Sequence, residues 1–223
     1  MLPDLPPWLY ARSTLGSGHA TVRLSSDAHT ALVLDQEVAV LVGRPDPDLI
    51  GEVLAGNPPG PVLLIPAEAI TQVRPALPRW TEAPFVVHAL PGLYRSPAPV
   101  ATGVVVSDPL DPAVLAGLPD DVRADAIQAP AAAVRVVDGQ PIAVCFVADL
   151  TEGLWDVGID AVPQERRQGH GTAVFHALAG AMAAQGRQPV WAAYEDYPPS
   201  LAMAARLGFE RVARMVELTA PGD

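Results

Sequence analysis

The chain has 223 residues, half of them hydrophobic, and a formal charge of −11, enough for one large or two small domains that each bury a core. The acidic balance argues against a nucleic-acid binder, whose phosphate contacts need a basic face, and no apolar run approaches the roughly 20 residues that a membrane span needs. Prolines in MLPDLPPWLY stand where an export signal has its basic patch and apolar core, and the single cysteine, Cys145, excludes an internal disulfide, so the cytoplasm is the expected compartment.

Residues 1 to about 18 are rich in Pro and Gly and are expected to wrap the surface. Strand-like patterns follow at Ala20–Leu24, Ala31–Leu34 and Val38–Val42. Asp46-Pro47-Asp48 reads as a helix start, with Asp46 as cap and Leu49, Ile50, Val53 and Leu54 as an apolar stripe. Val62–Ile65 reads as a buried strand, Ala67 to about Val73 as a short helix and Phe85–Leu90 as a further strand. Pro91–Pro99 is the expected connection, with a domain boundary near residue 95 that separates an α/β domain, 1–95, from a second, 96–223.

In the second half, Val100–Val106 reads as a strand and Asp108-Pro109 opens a helical stretch interrupted at Gly117-Leu118-Pro119. Ala132–Val137 and Ile142–Ala148 flank Asp138-Gly139, a strong hairpin signal. Next comes Leu154–Leu178, in which Trp155, Val157 and Ile159 alternate on one strand face. That strand leads through Val162-Pro163 and Gly169-His170-Gly171 into a helix from about Gly171 to Gln185, ended by Gly186. A strand at Val190–Tyr194, a short helix at 200–209 closed by Gly208 and a strand at Arg211–Leu218 complete the chain. Strands alternating with helices predict an α/β sheet covered on both faces.

The turn before the long helix is the most informative stretch. The first N–H groups of a helix lack intrahelical partners and carry roughly half a positive charge, so a strand feeding such a helix makes an anion seat. Glycine at 169 and 171 permits positive φ or close approach of a ligand to the backbone, and Arg166 and Arg167 offer charge-assisted hydrogen bonds to phosphate. No Lys-Ser/Thr pair follows the second glycine and no third glycine is present, which excludes the Walker loop and the dinucleotide fingerprint.

What remains, Arg166-x-x-Gly169-x-Gly171 preceded by Ile159-x-Ala161-x-Pro163, resembles the coenzyme-A motif of the GNAT superfamily of N-acetyltransferases. Ser200-Leu201 through Leu207-Gly208-Phe209 resembles that family's second signature, and the N-terminal half resembles a subgroup that includes zwittermicin-resistance-type acetyltransferases. The resemblance covers about 100–218. It implies a GNAT acyl-CoA acyltransferase fold with a mixed α/β sheet in the C-terminal half and acetyl-CoA as cosubstrate. The N-terminal half is then expected to be a smaller α/β domain, a degenerate copy with Gly43-Arg44-Pro45-Asp46 in place of the glycine motif, or an unrelated one.

The expected cofactor contacts are Ile159, Ala161, Val162, Arg166, Arg167, Gln168, Gly169, His170, Gly171, Thr172, Tyr197 and Ser200. A main-chain N–H of Ala161 or Val162 is expected to polarise the thioester carbonyl. The acceptor needs a general base. Asp156 and Asp160 share a strand face about 13 Å apart, and Asp156 stands nearest the position where the family often carries Glu. Glu195 and Asp196 are second choices. The family's pantetheine Asn aligns with Tyr197 and its general-acid Tyr with Ala204, which leaves Tyr194, Tyr197 or water to supply a proton.

The expected activity is N-acetylation of a small-molecule amine. The alternatives are a non-catalytic acyl-CoA-binding module and a protein N-terminal or lysine acetyltransferase. His19, His29 and His88 show no metal-ligand spacing, so no metal is expected, nor a nucleic acid or membrane partner, while a homodimer is an admissible assembly.

Overall fold

The computed structural model describes residues 2–55, 62–95 and 100–221. They form two compact units: the described residues up to 88 with 192–206 and 210–221, and those from 89 to 191 with 207–209. The sequence suggests a boundary near 95; the contacts divide the chain after His88 and return most of the C-terminal segment to the first unit. Residues 96–99 of the expected connection lie outside the described residues.

The first unit contains β1 (Thr21–Leu24), β2 (Thr30–Leu34), β3 (Val38–Gly43), β4 (Val62–Pro66), β5 (Thr81–Ala89) and β11 (Glu210–Thr219), in the spatial order β1-β2-β3-β4-β11-β5. β3 runs parallel to β4, whereas β2 with β3 and β4 with β11 are antiparallel, so the sheet is mixed. One core cluster gathers Leu32, Leu41, Leu63, Ile65 and Leu218 from the strands, Ile50 from α2 (Pro47–Ala55) and Val73 from α3 (Ile70–Val73). Each of these fully buried side chains contributes roughly 1.5–3 kcal/mol by leaving water.

One expectation is corrected here. Residues 9–16 form a helix, α1 (Leu9–Gly16), that packs on β2 and β3 with Leu9, Ala11 and Thr14 buried. The prolines that suggested an irregular surface strand instead occupy the first positions of a 3-10 turn, Pro6–Trp8, that leads into it.

The second unit is built on β6 (Val104–Ser107), β7 (Ala132–Val137), β8 (Gln140–Leu150) and β9 (Leu154–Ala161), each antiparallel to the next. The first residues of β10 (Gln188–Tyr194) run parallel to β9. The β7–β8 turn has positive φ at both Asp138 (49°) and Gly139 (78°), which matches the twist of the flanking strands. β6 begins at 104 rather than 100, because Gly103 (φ 77°) turns the chain just before it.

α5 (His170–Ala184) covers one face of this sheet. The other face carries Ala132, Val134, Val144 and Phe146 under Leu115, Leu118, Val122 and Ala126. Of these, Val122 comes from α4 (Asp120–Arg123) and the others from the turns around it.

Candidate functional site

β9 is paired on one side through its whole length and on the other only at its start. Its register with β10 covers Gln188↔Leu154 to Val190↔Asp156. Its register with β8 runs to Ala143↔Ala161, and the Val162 N–H continues that ladder by donating to the Ile142 carbonyl at 2.9 Å.

The chain then makes a 3-10 turn, Pro163–Glu165, and reverses through positive φ at Arg167 (66°) and Gly169 (86°). α5 starts at His170, one residue before its expected start. The Gly169 carbonyl accepts from the Ala173 N–H at 3.0 Å, so the N–H groups of the residues before Ala173 precede the helical ladder. No side chain caps this end. A Cβ on Gly169 would meet nothing within 4 Å, so the glycine serves backbone conformation rather than space. Arg167 holds a left-handed conformation without that freedom, at a cost of about 1–2 kcal/mol.

α2 provides an internal contrast. The Asp46 carboxylate accepts from the Asp48 and Leu49 N–H groups, both at 3.1 Å, so that helix start already holds its anion. Before it, a Cβ on Gly43 would stand 2.2 Å from the His29 carbonyl oxygen, so main chain fills the place beside that glycine. Of these two helix starts, only that of α5 presents donors that no side-chain cap has taken.

The loop side chains divide into two groups. Gln168 donates to the Gln164 carbonyl at 3.3 Å and to Glu165 Oε2 at 3.1 Å, and His170 Nε2 stands 3.6 Å from the same Glu165 oxygen. Arg166 folds back onto the strand: Nε donates to the Ala161 carbonyl and Nη2 to Asp160 Oδ1, each at 3.0 Å. Arg167 is exposed and makes no hydrogen bond or ion pair among the described residues. Gly171 and Thr172 lie half-buried in the first turn of the helix.

Asp156 and Asp160 share a strand face, as alternation predicts. Asp156 is 7% exposed and its Oδ1 accepts from the Val157 N–H at 3.0 Å. Asp160 Oδ1 accepts from the Ala161 N–H at 2.7 Å. The Ala161 and Val162 N–H groups, expected to stand open for a thioester carbonyl, are therefore both engaged, one by Asp160 and one by Ile142. Ile159 lies between them and the end of the β10 register.

The remaining expected residues belong to the first unit. Both Glu195 oxygens accept from Arg214, Oε1 from Nε at 2.7 Å and Oε2 from Nη2 at 2.9 Å, and this pairing holds the carboxyl below its ordinary range. A carboxylate so held is a weak base, which counts against Glu195 in that role. Tyr194 is 43% exposed and donates to Glu217 Oε2 at 2.7 Å; partial desolvation first and Glu217 second push its phenol up, so the proton stays on oxygen. Tyr197 is half exposed and its N–H donates to the Tyr194 carbonyl at 3.1 Å. Ser200 lies in α6 (Pro198–Arg206), where Ala204, aligned with the family's Tyr, is fully buried.

Sequence reasoning missed Tyr94. Its hydroxyl lies 2.9 Å from His176 Nδ1 on α5, its ring stacks on that imidazole, and its N–H donates to Gln188 Oε1 at 2.5 Å. The aromatic in Pro91–Pro99 was the available signal. Among the described residues, no group of three or more His, Cys, Asp or Glu side chains is arranged for a metal ion, and no helix is long and apolar enough to cross a membrane.

Residues 133–216, which include β9, the loop and α5, match the family described as GNAT acetyltransferase. Among solved structures, a GCN5-related N-acetyltransferase-like protein from Streptococcus suis is 16% identical, with a TM-score of 0.67 over 97% of this chain and 94% of that one. A GCN5-related N-acetyltransferase from Kribbella flavida is 17% identical, with a TM-score of 0.64 over 96% and 95%. A tandem GNAT protein from the clavulanic acid biosynthesis pathway is 17% identical, with a TM-score of 0.60 over 99% and 91%. At these identities the likeness to the solved structures is one of fold. No curated protein matches the chain in sequence. Residues 133–216 thus match the GNAT acetyltransferase family, and the chain as a whole shares the fold of these solved structures.

Proposed function

We infer that this protein transfers an acetyl group from acetyl-CoA to the primary amine of a small molecule. The observation that carries the reading is the uncapped start of α5, set at the end of a strand and turned by Gly169. Main-chain N–H groups of 170–172, with the unpaired Arg167 beside them, suit the diphosphate of coenzyme A in charge and hydrogen-bonding type. The cosubstrate supplies an activated acyl carbonyl, and the rest falls to the protein.

An alkyl amine with a pKa near 10.4 is neutral about once in 2,500 molecules at pH 7, a barrier of roughly 4.6 kcal/mol that a positioned base offsets. Asp156 remains the first candidate for that base, directly or through water. Tyr194 retains its proton at neutral pH but directs it at Glu217, and Ala204 offers none. The acidic balance of the chain is compatible with a cationic acceptor. A cytoplasmic setting accords with the single buried thiol.

The N-terminal half, with the element order α-β-β-β-α-β-α-β and a helix start closed by Asp46, reads as a degenerate acetyltransferase-like half that does not bind the cofactor.

The test is thiol release from acetyl-CoA in the presence of an amine panel that includes polyamines, amino sugars and lysine peptides. Release with a small amine supports the reading, and release only with peptides moves the acceptor to protein. The buried Ala204 favours one second reading, a non-catalytic acyl-CoA-binding module, which would bind acetyl-CoA and release no thiol with any amine.

A further inference from the structure

β1 is a strand with one neighbour. Among the described residues it pairs only with β2, and all four of its residues are exposed, Val22 at 45% and Leu24 at 60%. The Ser25 N–H, just beyond its end, donates to the Thr30 carbonyl of β2 at 3.0 Å. Main-chain groups alternate in direction along a strand, so the N–H and C=O of Leu24, Val22 and Ala20 face away from β2. Such an edge is a template for another strand. Leu32 and Leu34, which oppose Arg23 and Thr21, belong to the core under α2. Arg23 and Thr21 therefore share that face, and Val22 and Leu24 project from the opposite one.

The edge is complementary to itself. Two copies joined antiparallel about a two-fold axis keep every side chain on its own face only when the axis passes through a residue. At Arg23 the axis would set Arg23 against the partner's Arg23, a like-charge pair. At Leu24 it would send Val22 to the partner's Ser26, and Ser26 lies in the β1–β2 turn. At Thr21 it would send Leu24 to the partner's Gly18, and Gly18 turns the chain with φ 78°. Centred on Val22, it pairs residues 20–24 with the same five residues in reverse, and Arg23 stands against the partner's Thr21. Charge permits this seam: no Asp or Glu occurs from Leu5 to Ser26, although the chain holds 25, so no carboxylates meet there. The edge of the second unit, β6, is less open, because the Val104 N–H already donates to the Ala101 carbonyl at 3.1 Å.

We propose that β1 is a self-association edge, on which a second copy of this chain pairs antiparallel about Val22 and covers the exposed Val22 and Leu24 side chains. The proposal concerns the first unit alone and stands apart from the acyltransferase reading. The seam is short, so the dimer is expected to dissociate on dilution, with a constant on the order of 10 μM.

Sedimentation velocity of the full chain from about 1 to about 200 μM should show the mass rise from 23.3 kDa toward twice that value. Val22→Pro removes the central outward N–H and leaves the ladder to β2 intact. It should weaken association at least about tenfold with little change in thermal unfolding. Val22→Lys sets like charges against each other across the axis; it should weaken association as much, and it serves if the proline disturbs the strand. Val22→Cys should give a disulfide-linked dimer on mild oxidation, because directly opposed hydrogen-bonded residues stand about 5.5 Å apart at Cα. Val105→Cys, on the exposed β6 edge, should not, and the native Cys145 is buried.

A chain that stays monomeric at about 200 μM would overturn the proposal. So would a dimer that survives both Val22→Pro and Val22→Lys, or one that is cross-linked through Val105→Cys and not through Val22→Cys, since either places the contact elsewhere on the surface.

Discussion

The ring of Phe146 occupies the place of the side chain that Gly158 lacks: a Cβ at 158 would stand 2.2 Å from Phe146 Cε2 and 2.3 Å from Cζ. The two are directly opposed across β8 and β9, on the face that carries Asp156 and Asp160. Phe146 also belongs to the core formed with Leu115, Leu118 and Val122. The glycine thus lets an aromatic side chain lie flat on the central strand between two carboxylates.

Gly158→Ala is expected to lose about 1–3 kcal/mol of stability through overpacking, and Phe146→Ala about 3–5 kcal/mol through the cavity it leaves. The double variant should be more stable than the sum predicts, because removing the ring makes room for the new methyl group. Urea unfolding of the three variants measures this, and strict additivity would contradict the contact.

Gly169 and Asp46 start two helices by different means, and their substitutions should separate accordingly. Gly169→Ala forces a Cβ into left-handed backbone at a cost of about 1–2 kcal/mol and should weaken coenzyme A binding severalfold. Asp46→Ala should cost about 1 kcal/mol through the lost cap and leave coenzyme A affinity unchanged. Calorimetric titration alongside thermal unfolding distinguishes them; equal effects on affinity would argue against α5 as the anion seat.

Arg167→Ala should raise the dissociation constant for coenzyme A about tenfold at low salt, with a smaller effect at high salt, as expected for a solvent-facing charge on phosphate. An affinity that is unchanged at every salt concentration would remove Arg167 from the site.

Partial burial holds the His176 imidazole below its ordinary value. The unfolded chain then takes up this proton near pH 6.5, before the folded protein does. The contribution to stability is complete above about pH 6.5 and is lost as the pH falls from there through the lower folded value. Thermal unfolding from pH 8 to 5 should show this decline, and His176→Gln should flatten it. An identical pH dependence in the variant would contradict the shift.

The strand–turn–helix around Gly169 was legible in sequence because each signal was local: alternation along β9, proline and glycine at the turn, and apolar spacing along α5. The Asp138-Gly139 hairpin and the Asp46 cap were readable for the same reason. Contacts across strands were not. Phe146 against Gly158 and Glu195 with Arg214 depend on register, and no spacing in the sequence encodes the pairing of β4 with β11. The Asp160–Arg166 pair requires a side chain to fold back across a reversed turn, so the same arginine that read as a phosphate ligand lies on the strand instead. α1 was hidden because Pro6 and Pro7, signs of irregular chain in isolation, are also suited to the first turn of a helix.

The account depends most on the main-chain amides at the start of α5 gripping a coenzyme A diphosphate. Amide-resolved nuclear magnetic resonance of the isotope-labelled protein, titrated with coenzyme A, tests this directly. The account predicts saturable shifts centred on residues 167–172, with the start of α2 unmoved. Binding that leaves residues 167–172 unperturbed, or no binding at all, would contradict it.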